Sequence, residues 1–256
     1  MEQVITIPAL GDNYIYLCRY HQNNAFVIDP GDAEAVFNVL EKHSLNLTHT
    51  LTTHHHFDHV GGVKELKKKT GCEIFGSDKN KISIIDCKVQ DRGVIAICGI
   101  HILVIATPGH TQGSVCYYVQ PSKNQDGILF TGDTLFIGGC GRPIECNAWT
   151  MWDSLQKIAA LPDETLVYPG HNYTEENYEF ALTIEADNGI MKKYLQMVQE
   201  WQQQGKPAVP SRIGQERATN VFLRADDPAI KSALGMPTAT SAEVFSELRL
   251  RKNAFG

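Results

Sequence analysis

Imidazole and carboxylate groups are concentrated in the stretch THHHFDH, residues 53–59. Four histidines and one aspartate lie within six residues, which is more than one tetrahedral metal ion needs. Because side chains alternate along an extended segment, His54 and His56 can face one point. Asp58 and His59 follow in what we expect to be the first turn of a helix and can face a second point. The stretch therefore predicts half of each of two metal sites.

Three further ligand candidates follow apolar runs that are typical of strands: His110 in IATPGHT, Asp133 in LFTGDT and His171 in VYPGH. Glycine precedes each of them, which we interpret as close approach of the backbone to a metal. A carboxylate has two oxygens and can bridge two cations about 3.5–4 Å apart. Imidazole and carboxylate ligands favour zinc, with iron or manganese as alternatives. His55 is interpreted as a structural residue beside the ligands.

Composition limits the partners and the compartment. The net charge of −6 gives no reason to expect nucleic acid as a partner. The N-terminus lacks the pattern of a signal peptide, and no apolar run is long enough to span a membrane. The seven cysteines are scattered without a Cys-x-x-Cys pair, which favours a reducing compartment, and we predict the cytoplasm.

The order of apolar runs and turns predicts an α/β sandwich followed by a helical region. Asp32 is expected to cap a helix, and Gly71 to end another. Apolar residues at helical spacing from Thr174 to Gln204 predict a long helical run, and a last helix is expected over Ser241–Leu250. We place a domain boundary between residues 1–170 and 171–256.

The stretch THHHFDH resembles the signature T-H-x-H-x-D-H of the metallo-β-lactamase superfamily. That resemblance implies an αββα sandwich with a dinuclear metal site along one edge of two sheets. It assigns His54, His56 and His110 to the first metal. It assigns Asp58, His59 and His171 to the second, with Asp133 bridging the two.

A closer resemblance, to the hydroxyacylglutathione hydrolases (glyoxalase II), runs nearly end to end. It includes the motifs DNY at 12–14, GDTLF at 132–136, GHNYT at 170–174 and NVFLR at 220–224. By this likeness Arg142, Tyr173, Arg249 and Lys252 hold glutathione. Arg249 and Lys252 are three residues apart, so they share a face of a helix and can clamp a carboxylate.

The chain departs from that family's pattern at 142–147, where it has RPIECN. Pro143-Ile144 lacks the expected aromatic residue, and Cys146, which Asn147 follows, replaces the expected glycine. Metal chemistry is untouched by these changes. Affinity for glutathione, or preference among acyl groups, is where we expect a difference.

The resemblance implies hydrolysis of S-D-lactoylglutathione to glutathione and D-lactate, the second step of methylglyoxal detoxification. A hydroxide shared by two metals would attack, with Asp133 bridging the metals and Asp58 orienting the hydroxide. We predict a monomer that binds a small glutathione thioester. Three alternatives stay open: a thioesterase for another thiol carrier, a mononuclear iron dioxygenase acting on glutathione persulfide, and a non-catalytic metal-binding module.

Overall fold

The computed structural model describes residues 1–123 and 125–255, which include two six-stranded sheets. The first sheet contains, in spatial and chain order, β1 (Gln3–Ala9), β2 (Asn13–Tyr20), β3 (Asn24–Ile28), β4 (Asn46–Leu51), β5 (Glu73–Gly76) and β6 (Cys87–Lys88). Its first three strands are antiparallel, and β3 to β6 run parallel to one another.

The second sheet has the spatial order β14-β13-β10-β9-β8-β7. Its strands are β7 (Val94–Ile97), β8 (Ile100–Ala106), β9 (Val115–Val119), β10 (Ile128–Gly132), β13 (Leu166–Pro169) and β14 (Ser211–Arg212). A short hairpin, β11 (Leu135–Phe136) and β12 (Gly139–Cys140), follows β10.

The helices lie outside the two sheets. They are α1 (Ala33–His43), α2 (Phe57–Val60), α3 (Val63–Thr70), α4 (Ala148–Ala159), α5 (Thr174–Ile184), α6 (Gly189–Gln203), α7 (Ile213–Thr219), α8 (Pro228–Ala233) and α9 (Ser241–Asn253). Asp32 caps α1 by accepting from the backbone of residues 34 and 35, and Gly71 ends α3 with φ of 72°. Both predicted helix ends are thus confirmed. No helix within the described residues is long and apolar enough to cross a membrane.

Apolar cores between the two sheets and on their outer faces produce the predicted αββα sandwich. One core lies between the sheets and includes Tyr16 of β2 and Tyr117 of β9, both buried. The next residue on each strand faces the opposite way: Leu17 packs under α1 and α3, and Cys116 packs under α4 and the C-terminal helices. Since successive side chains of a strand point to opposite faces, one strand contributes to two layers. The fold class predicted from the sequence is confirmed.

Strand direction brings the polar loops to one edge. In the second sheet β9 is antiparallel to both β8 and β10, and β13 is parallel to β10, so the carboxyl ends of β8, β10 and β13 meet. In the first sheet the parallel strands β3 and β4 end at the same edge. The backbone N–H of Val115 donates to the Thr53 carbonyl at 2.9 Å and joins the two sheets there. Loops that follow five strands therefore converge.

The C-terminal part differs from the sequence prediction in two respects. The long helical run is two helices, because Asn188 accepts hydrogen bonds from the backbone of Ile190 and Met191 and starts α6 afresh. Residues beyond the predicted boundary also add β14 to the second sheet, beside β13. The division at residue 170 stays a prediction.

Candidate metal centre and substrate cavity

Three ring nitrogens meet at the first point. Nε2 of His54 lies 3.2 Å from Nδ1 of His56, which lies 3.0 Å from Nε2 of His110. His54 and His56 come from the loop after β4, and His110 from the loop after β8. The three side chains form one group whose ligand atoms could hold a metal ion.

The hydrogen bonds behind these rings show which nitrogens carry protons. Nδ1 of His110 faces the Arg142 carbonyl at 2.9 Å, and a carbonyl only accepts, so that nitrogen is protonated. Nδ1 of His54 lies 3.0 Å from the Thr53 hydroxyl, which itself donates to Asp29. Burial lowers the pKa of His54 and of His110, which keeps both rings neutral. Their Nε2 lone pairs therefore face one another, an arrangement that a cation stabilises.

The second point gathers Asp58, His59 and His171. Oδ2 of Asp58 lies 3.2 Å from Nε2 of His59 and 3.3 Å from Nε2 of His171. Asp58 and His59 lie on α2, which begins at Phe57 as the sequence predicts, and His171 follows β13. The side chain of Asn13 donates to the same oxygen of Asp58 at 3.0 Å and fixes its orientation.

Asp133 lies between the two groups. Its Oδ2 is 3.4 Å from Nε2 of His110 and 3.3 Å from Nε2 of His171, and its Oδ1 is 3.3 Å from Nε2 of His59. Oδ1 is buried and has no hydrogen-bond partner among the described residues. One buried carboxylate thus faces ring nitrogens of both groups, as a bridging ligand requires. The structure brings all seven predicted side chains to this place.

Sequence reasoning missed the residues that orient the ligands. Asp29 accepts from Nδ1 of His59 at 3.0 Å, and Asp12 accepts from Nδ1 of His171 at 3.0 Å. Such partners fix the tautomer and direction of a metal-binding imidazole. Asp12 and Asn13 belong to the DNY motif quoted above, which was the available signal.

The three glycines before the ligands have different roles. A Cβ at Gly170 would lie 2.6 Å from Oδ1 of Asp133 and 2.8 Å from His59, so here glycine does allow close approach to the ligands. At Gly109 a Cβ would instead collide with Met151 of α4. At Gly132, where φ is 47°, it would collide with Thr53. Packing of α4 and of the β4 loop therefore explains two of the three.

His55 points away from both groups. Its Nε2 lies 3.3 Å from the Lys81 ammonium and 3.5 Å from the Glu145 carboxylate, and Glu145 also accepts from the backbone of Gln112 at 2.8 Å. Glu145 donates its own N–H to the His110 carbonyl at 3.3 Å. His55 thus supports the loop that carries Arg142.

The contrast between His55 and His56 can be tested. We expect His55→Ala to keep the metal content of the unaltered protein, since His55 belongs to neither ligand group and its ring only meets that of His56 edge-on, at 5.0 Å between centroids. His56→Ala removes the nitrogen between His54 and His110 and should lose metal from the first site. Elemental analysis of both purified variants measures this. Equal loss of metal from the two would contradict the assignment.

The second group carries protons when no metal is bound. Burial disfavours charge on His171, but hydrogen bonds to Asp133 and Asp58 outweigh burial and raise its pKa to about 10. Burial also opposes charge on His59, but the surrounding carboxylates raise its pKa well above the usual range. Both rings are therefore protonated at neutral pH in the metal-free protein, whereas a metal ligand must be deprotonated.

Metal uptake should consequently release protons. We expect about two protons per chain at pH 7, and an apparent affinity that rises with pH up to about 10 because fewer protons are then displaced. Calorimetric titration of the metal-free protein with zinc, in buffers of different ionisation enthalpy, measures the release. Heats that do not depend on the buffer would contradict this prediction.

A cavity of about 330 Å³ adjoins the metal centre. His110 and Asp133 line it, and so do all four predicted glutathione contacts. Tyr173 stacks on the ring of His171 at 4.9 Å between centroids and meets Phe136 edge-on. Arg249 and Lys252 come from α9 and are buried although they are cations. The sandwich and the helical region therefore build this cavity together.

The hairpin β11–β12 forms a wall of the cavity, and hydrogen bonds to residues of the helical region hold it in place. Asn220 donates to the carbonyls of Phe136 and Gly139 at 3.3 and 2.9 Å, and the Gly138 N–H donates to the buried Glu216 at 2.9 Å. Asn220 is the first residue of the NVFLR motif, so this motif holds the cavity wall in place.

The unusual RPIECN segment lies at the rim. The Arg142 carbonyl orients His110, while Ile144 is 56% exposed and lines an adjoining groove with Leu250. Asn147 accepts from the backbone of Thr150 and caps α4, which gives this departure a structural role. Ile144 occupies the surface and contributes no polar contact to the described part of the cavity.

Comparison with known proteins gives the family. Residues 9–171 match the family model of the metallo-beta-lactamase superfamily, and residues 172–255 match that of the hydroxyacylglutathione hydrolase C-terminus. A hydroxyacylglutathione hydrolase of Rhodospirillum rubrum is 45% identical over 252 residues, with 97% of each chain covered. This chain belongs to the hydroxyacylglutathione hydrolase family.

Further relatives agree with this family. The hydroxyacylglutathione hydrolase of Maricaulis maris is 43% identical over 97% of this chain and 96% of its own. Among solved structures, the BLEG-1 B3 metallo-beta-lactamase superposes with a TM-score of 0.65 at 25% identity, covering 86% of this chain and 99% of that one. The metallo-β-lactamase fold and a dependence on metal follow.

Proposed function

We propose that this chain hydrolyses the thioester bond of S-(2-hydroxyacyl)glutathiones, with S-D-lactoylglutathione as the reference substrate, at a centre of two metal ions. One observation carries the proposal: a single cavity is lined both by His110 and Asp133 of the metal centre and by the buried cations Arg249 and Lys252. A hydrolase for a thioester with a terminal carboxylate needs both. Its relatives from R. rubrum and M. maris bear the name of this activity.

The residues present fit two metals. His54, His56 and His110 would hold the first, Asp58, His59 and His171 the second, and Asp133 both. Nitrogen and carboxylate ligands favour zinc, with iron and manganese as alternatives. When bound, such a metal pair lowers the pKa of water and polarises the thioester carbonyl. The lone pairs that face each other at the first group, and the buried Oδ1 of Asp133, support this assignment.

The protein side chains position the reactants. Asn13 holds Asp58, and Asp29 holds His59, so the ligands are fixed before substrate arrives. Arg249 and Lys252 would bind the glycine carboxylate of glutathione, and Arg142 and Tyr173 would contact the rest of the peptide. A glutathione thiol has a pKa near 8.5, so its thiolate leaves without a strong general acid.

A covalent intermediate on cysteine does not fit the cavity. Cys140 lines it, but burial raises the pKa of this thiol to about 11 despite the nearby Arg249. Burial and the Glu145 carboxylate also raise the pKa of Cys146 at the rim. Both thiols are therefore poor nucleophiles near neutral pH. Direct attack by water is the reaction that these residues support.

The choice of thiol carrier tests the proposal. We expect thiol release from S-D-lactoylglutathione to exceed release from lactoyl-coenzyme A by roughly 10²-fold or more in kcat/KM, because only glutathione offers the carboxylate that the α9 cations bind. Similar values for the two carriers would favour a general thioesterase. Oxygen consumption with glutathione persulfide, without thioester hydrolysis, would favour a dioxygenase. Absence of turnover on all three, with metal bound, would favour a binding module.

A further inference from the structure

The cavity contains an internal ion pair. The ammonium of Lys252 pairs with the Glu176 carboxylate of α5 and lies over the ring of Phe255 at 5.4 Å. Lys252 is buried, but the side chain of Glu176 is 52% exposed. Glu176 is the one acidic side chain within ion-pair distance of Lys252 among the described residues. Both residues line the cavity.

Arg249 and Lys252 form the pair of cations that we call the clamp, and the hydrogen-bond partners of Arg249 are neutral. Arg249 donates to the Cys140 carbonyl at 3.0 Å and to the Asn253 side chain at 2.7 Å, and its buried Nε has no partner in the described part of the chain. The clamp therefore holds two positive charges against the single negative charge of Glu176. One substrate carboxylate would neutralise the remaining positive charge, and it would have to share Lys252 with Glu176.

We infer that Glu176 sets the affinity for glutathione by competing with the glycine carboxylate of the ligand for the ammonium of Lys252. This inference rests on the proposed function. A carboxylate paired with Lys252 in the free protein lowers the gain from a second carboxylate at the same place. Because Glu176 is half exposed, it can turn into water when the ligand arrives, whereas the buried Lys252 stays.

Product release gives this competition a consequence. The thioester substrate and the glutathione product present the same glycine carboxylate to the same clamp. Without Glu176, the clamp would bind substrate and product more tightly without favouring the transition state. It would also slow the departure of glutathione. Glu176 weakens the binding of substrate and product alike, so it reduces inhibition of the enzyme by glutathione.

The neighbouring Glu175 provides a matched control. It lies on the same turn of α5, but its carboxylate accepts from Gln199 of α6 at 2.9 Å and does not line the cavity. Glu175→Gln removes the same charge from the same helix at a place where no ligand is expected. General changes in charge or in α5 stability would affect both variants alike.

The test compares Glu176→Gln with Glu175→Gln in the metal-loaded protein. In Glu176→Gln we expect the KM for S-D-lactoylglutathione and the calorimetric Kd for glutathione to fall together by roughly three- to tenfold, with kcat unchanged or lower. Glutathione carrying an amide in place of its glycine carboxylate should bind both variants equally. Glu175→Gln should match the unaltered protein.

Unchanged or higher KM and Kd in Glu176→Gln would overturn the inference, since Glu176 would then hold Lys252 in position for the ligand. A fall of equal size with the amide analogue would also overturn it. If the unaltered protein hydrolyses no glutathione thioester, the proposed function fails and this inference with it. Hydrolysis by the unaltered protein without the shift in Glu176→Gln overturns the inference alone.

Discussion

Asp133→Ala should lose metal and activity together. Its carboxylate lies within 3.4 Å of ring nitrogens in both ligand groups, so its removal opens both sites. Transition-state stabilisation by bound metal is worth several kcal/mol, which corresponds to a loss of about 10³-fold or more in kcat/KM. Elemental analysis and thiol release measured on one sample test this.

A matched control and a conservative variant sharpen that experiment. Asp153→Ala removes an exposed carboxylate from α4 outside the site and should keep metal and activity. Asp133→Asn keeps an oxygen ligand but loses the charge, so we expect intermediate metal content. Circular dichroism establishes that each variant folds. A folded Asp133→Ala variant with full metal content and activity would contradict the bridging role.

Lys252→Met should give the second-largest effect, and it should act on binding. The change keeps an apolar side chain over the Phe255 ring, removes the ammonium, and leaves Glu176 facing the substrate carboxylate. We expect KM for S-D-lactoylglutathione to rise on the order of 10- to 100-fold while kcat changes little, because the metal ligands are untouched.

The control for Lys252→Met is Arg251→Met on the same helix. Arg251 pairs with Glu247 at 2.8 Å and does not line the cavity, so KM should stay within about twofold. In the double variant Lys252→Met/Glu176→Gln part of the lost affinity should return, since no carboxylate then repels the substrate. A lower kcat with unchanged KM in Lys252→Met would show that Lys252 acts on the reaction step instead.

The candidate ligands could be predicted from the sequence because their signal is local. His54, His56, Asp58 and His59 lie within six residues, and the alternation of an extended loop followed by a helix separates them into two pairs. The longer strands, such as β2, β8 and β9, were also predictable, since they carry runs of branched and aromatic residues. The αββα sandwich follows from those strands and the helices between them.

The roles of the residues that orient the ligands could not be predicted from local spacing, because these residues lie far along the chain from the ligands that they contact. Asp29 lies 30 positions from His59, and Asp12 lies 159 positions from His171. In the sequence, an aspartate in a turn cannot be told from any other turn residue, because its contact with an imidazole depends on the fold. The pairing of Glu176 with Lys252, 76 positions apart, was hidden for the same reason.

The helical region shows a different limit of prediction from the sequence. Apolar spacing continues through the break between α5 and α6, so periodicity alone predicts one run. The break depends on Asn188, whose side chain competes for the backbone N–H groups that start the next helix. The strand β14 is two residues long and forms because it pairs with the free edge of β13. No sequence pattern within these two residues predicts a strand.

The most direct test is thiol release from S-D-lactoylglutathione with the metal content measured on the same sample. We predict about two metal ions per chain, zinc among them, with turnover that disappears on chelation and returns when zinc is restored. Thiol release that persists in metal-free protein, or a fully loaded two-metal protein that releases no thiol above background, would contradict a dinuclear thioester hydrolase.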